Sequence, residues 1–528
     1  MTDMNHSGQG AGIDLIRMQV MWNRLLAVVE EQAQALLRTA FSTIVRECGD
    51  LSAGVFDLNG RMLAQAVTGT PGHVNSMAES VRHFIDRFPI ETMREGDHYI
   101  TNDPWRGTGH LNDFVVTTPA FHEGRIVGLF SCTSHLIDIG GIGFGPDGHD
   151  VFAEGLSIPF LKLCDRGEMN ETLMAMIRAN TRLPVETEGD VYSLLGCNDI
   201  GARRLSEMMA EFKLDSVDGL GSHICDVSRR AVLAEVAKLP QGVYRNAMTI
   251  DGLDAPIDLV AALTVNEDGI SVDFDGTSPV VRKGINVPLA YTRAYTAFGL
   301  ACAIAPGIPN NAGSLSVCDI EAPEGSILNA PRGAAVSSRH IVGQMLPDVV
   351  FGCLAELLPA RIPAEGTSCL WNVTLRGRAK GNDLGRYGFA VTITTNGGTG
   401  ARPDKAGLSA TAFPSGVKGS PVEIMEAAAP IVFWRRELRD GSGGAGRHRG
   451  GDGQVIEIEN RDGEAMDLLA AFDRIDFAPR GRAGGGDGAA GTVRLSDGTK
   501  LKGKGTQTIP AGQRLLLETP GGGGFGAA

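Results

Sequence analysis

The sequence predicts an α+β (mixed α/β) fold: a large, intertwined, multidomain chain with mixed sheets and one long N-terminal helix. Three observations carry this. With 528 residues, 43% hydrophobic and 21% charged, the chain can bury several cores. An unbroken helical periodicity opens it, and short strand-like runs fill much of the rest. Glycine accounts for 71 residues, about 13% against a usual share of roughly 7%. The glycines follow no collagen-like period, and many separate short apolar runs, where tight turns need them.

The elements follow in order. Residues 1–13 are polar and glycine-rich and are expected to be flexible. Over 14–47, Leu15, Met18, Leu25, Val29, Leu36 and Phe41 recur at helical spacing without Gly or Pro, which predicts one helix of about 50 Å. Strands are expected at Ala53–Leu58, His98–Thr101, Phe114–Thr118 and Ile126–Cys132, with a helix at Met77–Phe88. Residues 156–240 read as mainly helical, completing a first region at 14–240. A β-rich region, 241–528, follows. It opens with the hairpin Ile257–Val265, Asn266–Gly269, Ile270–Phe274 and has a helical insert at Leu289–Ala305 and Val342–Leu358. Strands return at Phe389–Thr395, Gln454–Glu459, Thr492–Leu495 and Arg514–Glu518. Two glycine-rich segments, 440–451 and 519–526, stand out late. The first reads as a flexible loop whose cationic side chains could cradle an anion, or as a plain connector.

Composition excludes several classes. Lys plus Arg is 48 against 62 Asp plus Glu, a net charge of −14, so no nucleic-acid footprint is expected and no anionic membrane surface. The longest apolar stretch, Ala294–Pro306, falls short of the roughly 20 residues a spanning helix needs. The first residues lack the blocks of a signal peptide, so a cytoplasmic protein is expected. Nine scattered cysteines without a Cys-x-x-Cys predict reduced, mostly buried thiols rather than a disulfide frame or zinc knot.

Histidine carries the chemical signal. Seven of 11 histidines (His73, His83, His98, His110, His122, His135 and His149) fall between positions 73 and 149. Asp97, Asp103, Asp113, Asp138 and Asp147 share that window, with Asp150 and Glu154 just beyond. His110 and Asp113 are three apart, and His135 ends an apolar strand that opens into a glycine turn. Two imidazoles and one carboxylate with open positions suit a catalytic Mn, Zn or Fe. His83, His98 and His122 read as surface residues. Gly141–Gly148 is no dinucleotide loop, because Pro146 breaks any following helix, and Asp273–Ser278 reads as a turn. No P-loop and no Gly-x-Ser-x-Gly occurs.

Read in sequence, these segments resemble the hydantoinase B family, the B subunit or domain of ATP-dependent oxoprolinases and hydantoinases, and the related alpha subunit of acetone carboxylase. The resemblance rests on Asp50–Asp57, His73–Met77, Gly96–Pro104, Gly109–Asp113, His135–Gly141, Phe152–Leu156, Gly398–Arg402, Ser442–Gly446 and Pro520–Gly524, in order over nearly the whole chain. It implies metal ligation by His110, Asp113 and His135. Asp50 and His73 would act as general base or support the ligands from behind, and Asp138 would orient His135 or a water. It also implies an A-type, actin-like ATPase partner in a hetero-oligomer, which uses Mg with ATP to phosphorylate the carbonyl oxygen of a small cyclic amide. This chain would then hydrolyse the activated lactam or imide. The alternatives are a ketone carboxylase subunit and a non-catalytic scaffold for the A subunit. Gly109 and Asn112 depart from the more usual Thr and Pro, and Leu136 stands where many lactam-hydrolysing relatives carry a second His.

Overall fold

The computed structural model describes residues 7–378 and 387–528. The expected flexible stretch 1–13 lies partly outside them, and helix α1 (Ser7–Thr39) already begins at Ser7. The single helix expected over 14–47 is broken. Asp190 Oδ1 accepts the backbone N–H groups of Phe41 and Ser42 at 2.7 and 3.1 Å, drawing the chain out of the helix before the single turn α2 (Thr43–Arg46). A side-chain acceptor distant in sequence ends this helix, so no Gly or Pro announces the break.

The first sheet contains β1 (Leu51–Phe56), β2 (Met62–Gln65), β3 (His98–Thr101), β4 (Asp113–His122), β5 (Arg125–His135), β6 (Leu161–Asp165) and β7 (Glu168–Met169), with α3 (Pro71–Arg87) between β2 and β3. Its order is β2-β1-β5-β4-β3-β6-β7, antiparallel throughout. Helices α4 (Glu171–Asn180), α5 (Pro184–Phe212) and α6 (Asp218–Val236) follow. α5 lies on β4 and β5 with α1 beside it, and α3 packs on β1, β4 and β5. Helical cover explains why β1 and most of β4 and β5 are buried along both faces. The β6–β7 hairpin lies inside the stretch expected to be mainly helical. Its turn residues Arg166 and Gly167 both have positive φ, +52° and +88°, the primed geometry that joins two-residue hairpins. His98, expected at the surface, is buried: Thr118 Oγ1 lies 2.8 Å from its Nδ1.

A second sheet holds β8 (Gly242–Ile250), β9 (Ile257–Val265), β10 (Ile270–Asp273) and β11 (Cys318–Glu321), β10 and β11 being parallel. Helices α7 (Leu289–Ile304), α8 (Ala312–Leu315), α9 (His340–Gly343) and α10 (Leu346–Leu354) belong to this part, and α7 and α10 share its core. Two further four-stranded sheets face each other across a common core. One is β13-β12-β16-β18, from β12 (Trp371–Arg378), β13 (Tyr387–Thr395), β16 (Met466–Ala471) and β18 (Lys504–Ile509). The other is β14-β15-β19-β17, from β14 (Ile431–Leu438), β15 (Gln454–Asn460), β17 (Thr492–Leu495) and β19 (Arg514–Glu518), with α11 (Val422–Ala428) beside β14. The architecture is α+β with mixed sheets. All nine cysteines are free thiols, as expected.

The glycine-rich segments are not a flexible loop: their backbones pack against one another. Gly521 and Gly524 donate to Ala489 O and Gly486 O, Gly522 and Phe525 to Gly451 O and His448 O, and Gly523 to Glu365 O, at 2.8–3.0 Å. Successive N–H groups thus address three neighbouring segments in rotation, with a period of three residues. Backbone meets backbone so closely that a Cβ on Gly450 would lie 1.9 Å from Gly522 O, and one on Gly522 2.0 Å from Thr399 O. Of the cationic side chains in the first segment, Arg449 pairs with Asp452 at 2.8 Å.

Candidate metal centre

Sheet register brings three sequence segments to one end of the first sheet. Asp113 opens β4 and pairs directly with His135, the last residue of β5, while Leu51 of β1 pairs with Ser134. Asp50 therefore ends up beside His135, whose N–H donates to the Asp50 carbonyl at 3.2 Å. His110 lies in the turn just before β4. His73 sits in the first turn of α3, which starts with Pro71, the residue preorganised for that position. The preceding Thr70 does not cap the helix with its side chain. Its hydroxyl instead donates to Asp50 Oδ1 at 3.1 Å.

His110, Asp113 and His135 offer ligand atoms that all lie within 4.8 Å of one another, and all three side chains are buried. His110 Nε2 and His135 Nδ1 approach Asp113 Oδ1 at 2.7 and 3.2 Å. The tautomer of His110 is fixed, because its Nδ1 lies 2.8 Å from the Ser337 carbonyl, which can only accept. Nε2 then carries the lone pair. It is buried and makes no hydrogen bond despite its nearness to Asp113, the arrangement of two donors converging on a shared cation rather than on each other. The donor set therefore fits a divalent metal. Burial, with the Arg339 guanidinium nearby, pushes His110 down to about 3, leaving it neutral as a ligand must be.

Asp113 Oδ2 is held from behind. Arg339 donates to it at 2.7 Å and His73 Nε2 lies 3.0 Å away, while His73 Nδ1 lies 3.4 Å from Asp50 Oδ1. Burial opposes the Asp113 charge, yet His73 and Arg339 beside Oδ2 help hold its carboxyl well below the usual range. Burial likewise opposes protonation of His73, but the Asp113 and Asp50 carboxylates raise it. Arg339 also stacks 4.0 Å from the Tyr291 ring centre and donates to Thr108 O at 2.7 Å. The unusual Gly109 makes room for this: its φ is +95°, and a Cβ there would lie 2.7 Å from Arg339 Nε.

Five of the six expected site residues are thus brought together. Asp138 stands apart, its carboxylate accepting from Gly140 N–H at 3.1 Å and pairing with Arg182 at 2.8 Å. The other window carboxylates serve elsewhere: Asp97 pairs with Lys162, Asp103 with Arg332, Asp147 with Lys283, and Asp150 caps a short turn. Arg339 and His340 went unrecognised in the sequence. Their only trace is an Arg–His pair ahead of the apolar run that forms α10.

Phe144 forms a wall of the site, its ring 4.8–5.9 Å from those of His135, His340 and His110. The chamber it closes, shared by Asp50, His73, His110 and His135, measures about 30 Å³. Beyond Phe144 and Thr392, which line both spaces, opens a cleft of about 570 Å³. Asn112, Asp138, Arg178, Arg182 and Arg376 contribute its polar lining.

A buried His–Asp–His set behind a cleft, on the rim of an antiparallel sheet, defines the class as a candidate metalloenzyme centre. The chain belongs to the Hydantoinase B/oxoprolinase family, which it matches over residues 14–528. It is 30% identical to an uncharacterized protein of Methanocaldococcus jannaschii, covering 98% of this chain and 91% of that protein. It is 29% identical to a Pseudomonas protein named for the B component of a D-/L-hydantoinase, over 97% of this chain and 90% of that one. It is also 30% identical to 5-oxoprolinase 1 of Arabidopsis thaliana, covering 97% of this chain but only 42% of that longer relative. Among solved structures, an ATP-dependent caprolactamase from Pseudomonas jessenii superposes with TM-score 0.85 at 25% identity, over 97% of this chain and 91% of that one. Acetone carboxylase shares the fold, with TM-score 0.85 at 18% identity, over 96% of this chain and 76% of that one. Among the described residues no helix is long and apolar enough to cross a membrane.

Proposed function

We propose that this chain is the B-type subunit of an ATP-dependent cyclic-amide hydrolase. It acts in the cytoplasm, in a hetero-oligomer with an A-type ATPase that phosphorylates the carbonyl oxygen of a lactam or imide using Mg with ATP. The observation that carries the reading is the buried His110–Asp113–His135 set with its unsatisfied Nε2, in a chain similar to hydantoinase, oxoprolinase and caprolactamase proteins.

A ring amide resists attack because resonance weakens its carbonyl as an electrophile, and phosphorylation supplies a leaving group. Mn, Zn or Fe held by His110, Asp113 and His135 would supply Lewis acidity and make water a better nucleophile near neutral pH. Arg339 and His73 hold Asp113 in orientation through Oδ2, leaving Oδ1 toward His110 and His135. Asp50 receives its hydrogen bond from Thr70 on Oδ1, so Oδ2 is assigned as the atom that takes a proton from the attacking water. The His73 ring lies beside that carboxylate, its Nδ1 3.4 Å from Oδ1. Phe144 excludes bulk water. The outer cleft, of a size for a small ring, has arginines on its wall suited to a phosphoryl group, with Asp138 positioning Arg182.

The test is elemental analysis of the chain beside His110→Ala and His135→Ala, followed by assay of each with the A partner, ATP and a panel of lactams and hydantoins. Near-stoichiometric metal in the wild type alone, and amide hydrolysis lost in both variants, are expected. Product formation that requires bicarbonate would instead mark a carboxylase. Full complex activity in His110→Ala would mark a scaffold.

A further inference from the structure

Glu154 is a buried carboxyl that the reaction outlined above does not use. It is 2% exposed, and its Oε1 accepts the backbone N–H groups of Val336 and Ser337, each at 2.8 Å. The carbonyl of that same Ser337 accepts from His110 Nδ1, also at 2.8 Å. Glu154 Oε2 is buried without any partner. The surroundings are cut to fit it: a Cβ on Gly148 would lie 3.0 Å from Oε1, and one on Gly284 2.8 Å. Burying a carboxyl with one oxygen unsatisfied opposes folding, and an apolar side chain would fill the same space more cheaply. Its remaining distinctive property is the two-fold acceptor that anchors residues 336–337.

We propose that Glu154 is a positioning residue of the centre, fixing the Ser337 carbonyl so that His110 is held as its Nδ1–H tautomer with the Nε2 lone pair facing Asp113 and His135. The proposal rests on the reading of His110 as a metal ligand and extends that reading to the residue supporting it from behind. Burial pushes the Glu154 carboxyl up to about 8, so near neutral pH it is largely uncharged. Glutamine, which keeps a carbonyl acceptor at the same reach, is therefore the matched replacement. Leucine keeps the volume and loses the acceptor, and aspartate keeps the acceptor but withdraws it by one methylene.

The full-length chain, labelled with ¹⁵N-histidine and free of metal, is compared by long-range ¹H–¹⁵N spectra for wild type, Glu154→Gln, Glu154→Leu and Glu154→Asp, with the His110 signals identified by their loss in His110→Ala. The same proteins are titrated with Mn(II) alone and followed by electron paramagnetic resonance. Wild type and Glu154→Gln should show one Nδ1–H tautomer at His110, while Glu154→Leu and Glu154→Asp mix tautomers and bind Mn(II) about 10- to 100-fold more weakly. If Glu154→Leu does not fold, Glu154→Asp carries the comparison. Leucine and aspartate variants with the wild-type tautomer and Mn(II) affinity within about twofold of wild type would overturn the proposal, as would a glutamine variant as impaired as leucine. If the wild type binds no Mn(II), manganese falls as the occupant, and the tautomer spectra still decide the role of Glu154.

Discussion

His110 carries one proton and one lone pair in fixed places, and both assignments depend on groups distant in sequence. Its own type and its spacing to Asp113 were visible, as was the placement of His135 at a strand end, because the ladder that pairs positions 113 and 135 joins consecutive strands. Arg339 was not legible. It arrives from the second region, and nothing around it says that it will stack on Tyr291 and neutralise Asp113. Glu154 gives a measurable consequence at this scale. Its folded-state carboxyl is raised to about 8 from an ordinary 4.5, so between those values the folded chain binds more protons than the unfolded one and stability falls as pH rises. Above about 8 the loss is complete. Glu154→Gln lacks this titration, so its unfolding midpoint in urea should gain on the wild type from about pH 5 to about pH 9. A constant difference across that range would contradict the assignment.

Local pattern locates the elements wherever it agrees with tertiary demand. β3, β17 and β19 lie where expected, and α7 differs by one residue. Failures came where a distant contact decides: the break after α1 is drawn by Asp190 of α5, and the β6–β7 hairpin turns on Arg166 in a positive-φ position that arginine does not advertise. The close seating of α5 on the first sheet yields a paired prediction. Gly201 of α5 packs against Phe130 of β5, and a Cβ there would lie 2.5 Å from the ring. Gly201→Ala should therefore destabilise the chain by about 1–3 kcal/mol. Gly196, on the exposed side of the same helix with nothing within 4 Å, should on replacement by Ala stabilise by about 0.5–1 kcal/mol through helix propensity alone. Denaturant midpoints of the two variants, measured side by side, check both signs.

For the whole molecule, composition forecast the α+β class but not what the glycines do. Their number suggests turns, whereas many of the late ones are packing surfaces where backbones touch. A glycine-rich run looks the same whether it is loose or threaded through a bundle, since no side chain records the difference. Gly522→Ala, which would place a Cβ 2.0 Å from Thr399 O, should lower stability by about 3 kcal/mol or more. Gly307→Ala, with open space around it, should change stability by less than about 0.5 kcal/mol. Equal denaturation midpoints for these two variants would refute the stack as a stabilising core. The threading of residues 519–526 also sets how this part of the molecule can close. The segments around 365, 399, 448 and 486 keep inward-facing amides and carbonyls unmatched until that strand of glycines is in place. This third of the protein therefore closes as one unit, and until it does its paired edges lack a centre, the state in which holding chaperones act.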